Sequence, residues 1–125
     1  DSGARRAIVL PVSVPSHSSL MQGAGEELAE TLANTDFAVP GISVINATDA
    51  TPYVDAADIR TRLATQVHRP VQWVDTINAM IKAGATPLIE CGPGKVLAGL
   101  VRRIDRGTPV GTIDSQSGLE KALEL

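Results

Sequence analysis

A chain of 125 residues, 43% hydrophobic and 20% charged, has the size and balance of one globular core and is too apolar for a disordered segment. It has no apolar run long enough to cross a bilayer. A net charge of -3 with one Trp, one Tyr and one Phe offers neither the basic field nor the aromatic platform that nucleic acid requires. The single Cys91 excludes an internal disulfide, and with two histidines it gives too few soft ligands for zinc, so no metal is expected and the setting is read as reducing and cytoplasmic. The opening Asp1-Ser2-Gly3 is not a translation start and lacks the apolar stretch of a signal peptide, so the chain is expected to be cut from a longer one.

Ala7 to Val14 is β-branched and apolar and predicts a buried strand, at an edge or bend because Pro11 has no N–H to give. Pro15, Ser16 and His17 make a turn. Ser18 or Ser19 then caps a helix from about Leu20 to Asn34, with Leu28 and Leu32 on one face and Gly23 and Gly25 weakening its first half. Ile42 to Asn46 reads as a short buried strand and Ala47 to Pro52 as a polar loop. Ile59, Leu63 and Val67 mark a second helix, begun by Asp55 and Asp58 and ended before Pro70. Pro70 suits the first turn of a third helix, with Val74, Ile77, Met80 and Ile81 as its apolar stripe and Gly84 as its stop. Pro87 to Cys91 is a strand and Gly92-Pro93-Gly94 a tight turn. A helix with Val96, Leu97, Leu100, Val101 and Ile104 on one face follows, then a strand from Val110 to Ile113 and a helix from Gly118 to Leu123. Strands alternating with helices predict an α/β fold, a parallel sheet with helices on both faces.

His17 follows the first predicted strand directly, where α/β folds present reactive groups, and is either a general base or a surface histidine beside helix-capping serines. His68, at a helix end, is read as structural. No Gly-x-Ser-x-Gly elbow is present, so the chain has no serine nucleophile by motif. Cys91 at a strand end reads as a small buried hydrophobe. Gly92-Pro93-Gly94-Lys95 lies between a strand and a helix like a phosphate loop, but its glycine spacing matches neither the Walker nor the dinucleotide fingerprint. Glu90, just before it, reads as a solvated or capping carboxylate.

The segments Val12 to Met21, Val44-Ile45-Asn46, Arg69-Pro70-Val71-Gln72-Trp73 and Glu90 to Leu100, in this order and spacing, resemble the malonyl-CoA:acyl carrier protein transacylases of bacterial type II fatty acid synthesis. The resemblance implies that residues 17–125 form the C-terminal part of a large α/β-hydrolase-like acyltransferase subdomain. Residues 1–16 would carry the last strand of a small ferredoxin-like subdomain and the crossover.

The reaction it implies passes malonyl from coenzyme A to a serine and then to the phosphopantetheine thiol of acyl carrier protein, with no cofactor. His17 would be the general base, and the backbone carbonyl of Gln66 would orient it. That fits a helix stopped before Pro70, whose last carbonyls lack intrahelical donors. Asn46 is carried over as a weak candidate for substrate binding. The serine, the malonyl-pairing arginine and the oxyanion-hole glutamine of the family have no counterpart here, so the chain is expected to need the N-terminal portion of the same enzyme and to be inactive alone. The alternatives are a polyketide-type acyltransferase domain, a noncatalytic module gripping the phosphate of coenzyme A through Gly92-Pro93-Gly94-Lys95, and an inert scaffold.

Overall fold

The computed structural model describes residues 3, 5, 7–9 and 11–125. Among the described residues before His17 there is no strand, although a strand over Ala7 to Val14 is predicted. Residues 6 and 10 lie outside the described set. Pro11 cannot donate to a ladder, no described strand lies alongside, and Val9 is 95% and Val12 71% exposed.

A 3-10 turn, Ser19–Met21, leads into α1, Gln22–Ala33. Neither Ser18 nor Ser19 caps it, contrary to expectation, because the Ser18 hydroxyl turns back to donate to the Pro15 carbonyl at 2.7 Å. α1 packs against α2, Ala56–Gln66. Gly25, a helix-weakening residue by propensity, is what allows the approach: a Cβ there would lie 2.8 Å from the Ala64 carbonyl oxygen. Arg60 of α2 closes the far end of the pair. It donates to the Leu32 and Thr35 carbonyls at 3.2 and 2.9 Å and lies over the Phe37 ring, a cation at the C-terminus of α1.

β1, Ile45–Asn46, pairs antiparallel with β2, Thr51–Pro52. The predicted strand is thus shorter than Ile42 to Asn46, and the end of the predicted polar loop is its partner. Asn46, 2% exposed, fixes the turn: Oδ1 accepts from the Thr48 N–H and hydroxyl at 2.8 and 2.6 Å, and Nδ2 donates to the Tyr53 hydroxyl at 2.8 Å. Arg62 then latches the hairpin onto α2. Its guanidinium donates to the Pro52 and Thr51 carbonyls, to Asp49 and to Asp58, and lies over the Tyr53 ring. Asp55 caps α2 by accepting from the Asp58 N–H at 2.8 Å, as the acidic helix start predicts.

α3 spans Trp73–Lys82 rather than starting at Pro70. The Gln72 N–H is drawn to the Ala47 carbonyl at 2.7 Å, which keeps residues 70–72 out of the helix, and the Gln72 carbonyl then receives Thr76. β3, Leu88–Cys91, and β4, Val110–Ile113, pair in parallel with Leu88 opposite Val110 and Cys91 opposite Ile113. They are joined through α4, Val96–Ile104, the α/β alternation the sequence predicts. α5, Gln116–Ala122, begins two residues before the predicted Gly118, because Ser115 caps it by accepting from the Gly118 N–H at 3.1 Å.

Ile77, Leu88 and Val101 form the buried centre, with Trp73, Met80, Ile81, Ile104 and Val110 packed around them. Val74, Val96 and Leu97, predicted for the buried stripes, are instead 54%, 71% and 43% exposed. Leu97 lines an open apolar cleft with Trp73, Met80 and Val101, and only β4 pairs with β3 among the described residues.

Ile77→Ala removes three side-chain carbons from the centre and is expected to cost about 2–5 kcal/mol, read as a lower urea midpoint at unchanged slope. Partial burial opposes ionisation of Asp49, but hydrogen bonds from Thr51 and Arg62 outweigh it and hold the carboxyl below the ordinary aspartate value. The latch is therefore complete at neutral pH and above the unfolded value near 3.9, and loosens as pH falls through the depressed folded value. Carboxyl NMR titration is expected to place the Asp49 midpoint below ~3.9, and Arg62→Ala to raise it.

Candidate active site

The left-handed backbone of His17 is the first sign that its position matters. Its φ is 61°, a region that non-glycine residues seldom occupy and that persists where the surroundings enforce it. The enforcement comes from the end of α2. The His17 N–H donates to the Val67 carbonyl at 2.9 Å, and its Nδ1 lies 2.9 Å from the Gln66 carbonyl oxygen and 3.2 Å from that of Arg69.

Carbonyl oxygens only accept, so Nδ1 carries the proton and donates to both. A neutral imidazole in that tautomer keeps its lone pair on Nε2, and no hydrogen bond to Nε2 is found among the described residues. The ring is exposed. It is thus oriented from one side and open on the other.

Three carbonyls of one turn converge on His17 because α2 has to stop. Residues 66–69 run out of the helix ahead of Pro70, and Gln66, Val67 and Arg69 are left with acceptor capacity that no helical donor fills. The family resemblance points to Gln66 alone. The part played by Val67 and Arg69 is legible only in the same signal, the proline that ends the helix, once the fold brings His17 beside it.

Asn46 lies apart from these contacts, with its side-chain amide committed to Thr48 and Tyr53. Its hairpin joins the same region through the Gln72 N–H on the Ala47 carbonyl. His68 sits in the turn after α2 with its ring against Gly25 of α1, the structural position expected of it. Cys91, expected to be buried, is exposed at the end of β3. Among the described residues no group of three or more His, Cys, Asp or Glu is arranged to hold a metal ion.

Glu90 and the glycine turn make a second cluster. Gly92 and Gly94 have φ of 142° and 94°, so the turn itself requires glycine there. Lys95, at the N-cap of α4, has no side-chain acceptor, and the Glu90 carboxylate takes over. Its two oxygens accept from the Leu97 and Ala98 N–H groups at 3.2 and 2.7 Å. Those are the donors a bound phosphate would need. Lys95 itself points its Nζ to Asp114 at 3.4 Å. The anion position at this helix start is therefore filled from within the chain.

No family model matches the chain. A malonyl CoA-acyl carrier protein transacylase of Haemophilus influenzae is 47% identical to it over 104 residues, 83% of this chain and 33% of that protein. The crystal structure of the acyl-carrier-protein S-malonyltransferase of Burkholderia pseudomallei superposes with a TM-score of 0.93 at 45% identity, covering 98% of this chain and 40% of that one. A malonyl-transacylase solved in complex with a type II PKS acyl-carrier protein superposes at 0.92 and 38% identity, again over 98% of this chain and 40% of the other. The chain spans 40% or less of the length of these relatives. The expected α/β acyltransferase fold is what these neighbours have.

Glu90→Ala is expected to leave the α4 donors unsatisfied and to lower stability by about 1–2 kcal/mol in a chemical melt. Glu90→Gln retains one acceptor and is expected to lose less.

Proposed function

This chain is related in sequence and in fold to the malonyl CoA-acyl carrier protein transacylases, and from that premise we propose that it supplies the general base of malonyl transfer from coenzyme A to acyl carrier protein. The observation that carries the reading is the 2.9 Å contact between His17 Nδ1 and the Gln66 carbonyl, which leaves Nε2 with a free lone pair.

A serine on the portion of the enzyme outside this chain is the nucleophile in this reading. Its Oγ attacks the malonyl thioester while His17 Nε2 takes its proton. The carbon–sulfur bond breaks, an ester forms, and the imidazolium returns the proton to the departing coenzyme A thiolate. In the second half His17 removes the proton of the phosphopantetheine thiol of acyl carrier protein. That thiol attacks the ester, and the proton passes back to the serine oxygen.

The imidazolium formed in each half keeps both its donors, and the Gln66 and Arg69 carbonyls stabilise it where an acid–histidine pair would otherwise use a carboxylate. Gln66 acts through its main chain. Asn46 contributes by holding the loop 47–50 rather than by a free amide.

The uncovered faces support a need for the rest of the family's length. Trp73, Met80, Leu97 and Val101 line an apolar cleft of about 250 Å³ beside β3, and a two-stranded parallel pair has no independent stability to spare. The residues 1–16 are assigned, in the same proposal, to the last strand of the small subdomain and its crossover. A polyketide-type acyltransferase is the second reading, favoured by the likeness to a malonyl-transacylase that binds a type II PKS acyl-carrier protein. It differs in which acyl group the residues outside this chain select and not in the role of His17. Against the phosphate-gripping module stands Glu90 on the α4 donors.

Malonyl transfer from radiolabelled malonyl-CoA tests the proposal. The isolated chain is expected to give none. Assembled with the serine-bearing portion it is expected to transfer, and His17→Ala then to lower the rate by about 10²- to 10⁴-fold, with Gln66→Ala nearly unchanged. Equal losses in the two variants would refute the main-chain role of Gln66, and transfer by the isolated chain would refute the need for a second portion.

A further inference from the structure

The turn that presents its carbonyls to His17 is weakly held by its own hydrogen bonds. The His68 N–H reaches the Thr65 carbonyl and the Arg69 N–H the Gln66 carbonyl at 3.3 Å each, the long end of the useful range. Left to these, the turn would fray as helix ends do.

A side chain braces it from behind. The His68 ring lies against α1 at Gly25, so close that a Cβ on that residue would come within 2.8 Å of the ring Nδ1 and 3.3 Å of Cε1. This Nδ1 is buried and has no hydrogen-bond partner among the described residues. The ring is therefore kept there by shape, since an unpaired buried nitrogen opposes the placement.

α1 in turn follows His17 after only the short segment Ser18–Met21. The contacts close a circuit: His17 to the carbonyls of Gln66 and Arg69, along the turn to His68, across to Gly25, and back down α1 to His17.

We propose that His68 is a positioning residue for His17, its ring wedged against Gly25 so that the turn 66–69 keeps the Gln66 and Arg69 carbonyls on His17 Nδ1 and fixes the tautomer of that imidazole. The inference rests on the reading of His17 as the base, and its effect is steric, so a ring without nitrogens serves equally.

The test is imidazole nitrogen NMR on histidine-labelled enzyme assembled with its serine-bearing portion, at a pH well above the ordinary imidazole value of about 6.5. Unsubstituted enzyme is expected to show His17 protonated at Nδ1. His68→Ala is expected to let the proton distribute to Nε2, and to lower kcat on the order of tenfold or more with less change in KM. His68→Phe is expected to restore both.

Gly25→Ala, which pushes on the ring from the opposite side, is expected to behave like His68→Ala. A purely structural wedge would lower the melting temperature of His68→Ala while leaving the His17 tautomer and kcat intact, and that result overturns the proposal. So does failure of His68→Phe to restore the tautomer when its melting temperature is normal. The base reading fails separately, if His17→Ala retains malonyl transfer.

Discussion

Everything at the candidate site depends on where α2 ends. A helix stopped by a proline leaves carbonyl oxygens that no backbone donor of the same helix can satisfy, and burial or water must deal with them. Here they are turned to use. Gln66, Val67 and Arg69 accept from one residue, His17, whose own backbone is bent into the left-handed region to reach them. Three hydrogen bonds between segments fifty residues apart are enough to fix a ring on a loop that is otherwise exposed.

The packing around this junction explains choices that propensity alone would count as faults. Gly25 in the first half of α1 costs helix stability, yet it is where α1 meets the α2 carbonyl of Ala64 and the ring of His68. Arg60 and Arg62, both on α2, have opposite neighbours: one closes the end of α1, the other latches the β1–β2 hairpin. α2 is thus the element to which the rest of this half of the chain is fastened. The other half is organised differently, by Ile77, Leu88 and Val101 between α3, β3 and α4, with Glu90 tying the strand to the helix that follows it.

Much of the hydrophobic pattern finds no cover. Val74, Val96 and Leu97 belong to periodic stripes that predict burial, and they are exposed in this chain, as are Val9 and Val12 of the predicted first strand. The stripes are sound as periodicity; what is missing is a surface opposite them. A chain that matches 40% or less of its relatives' length is expected to show such faces, because a sheet and its covering helices bury one another only when all are present.

The sequence by itself determined the alternation of strand and helix from β3 to α5, the end of α2 before Pro70, the acidic start of that helix and the family to which its motifs point, and it narrowed Glu90 to a solvated or capping carboxylate. These are local matters, settled by proline sterics, capping chemistry and apolar period within a few residues. It misplaced the start of α3, which is set by a partner distant in sequence, Ala47 for Gln72; it misplaced the cap of α1, where the Ser18 hydroxyl turns back to Pro15 in its own turn; and it misplaced the extent of the first strands, with no described strand over residues 7–14. Only the tertiary structure decided that Val67 and Arg69 join Gln66 on His17, and that His68 leans on a glycine. Contacts across forty or fifty residues depend on how whole elements pack, and no short window of sequence records that.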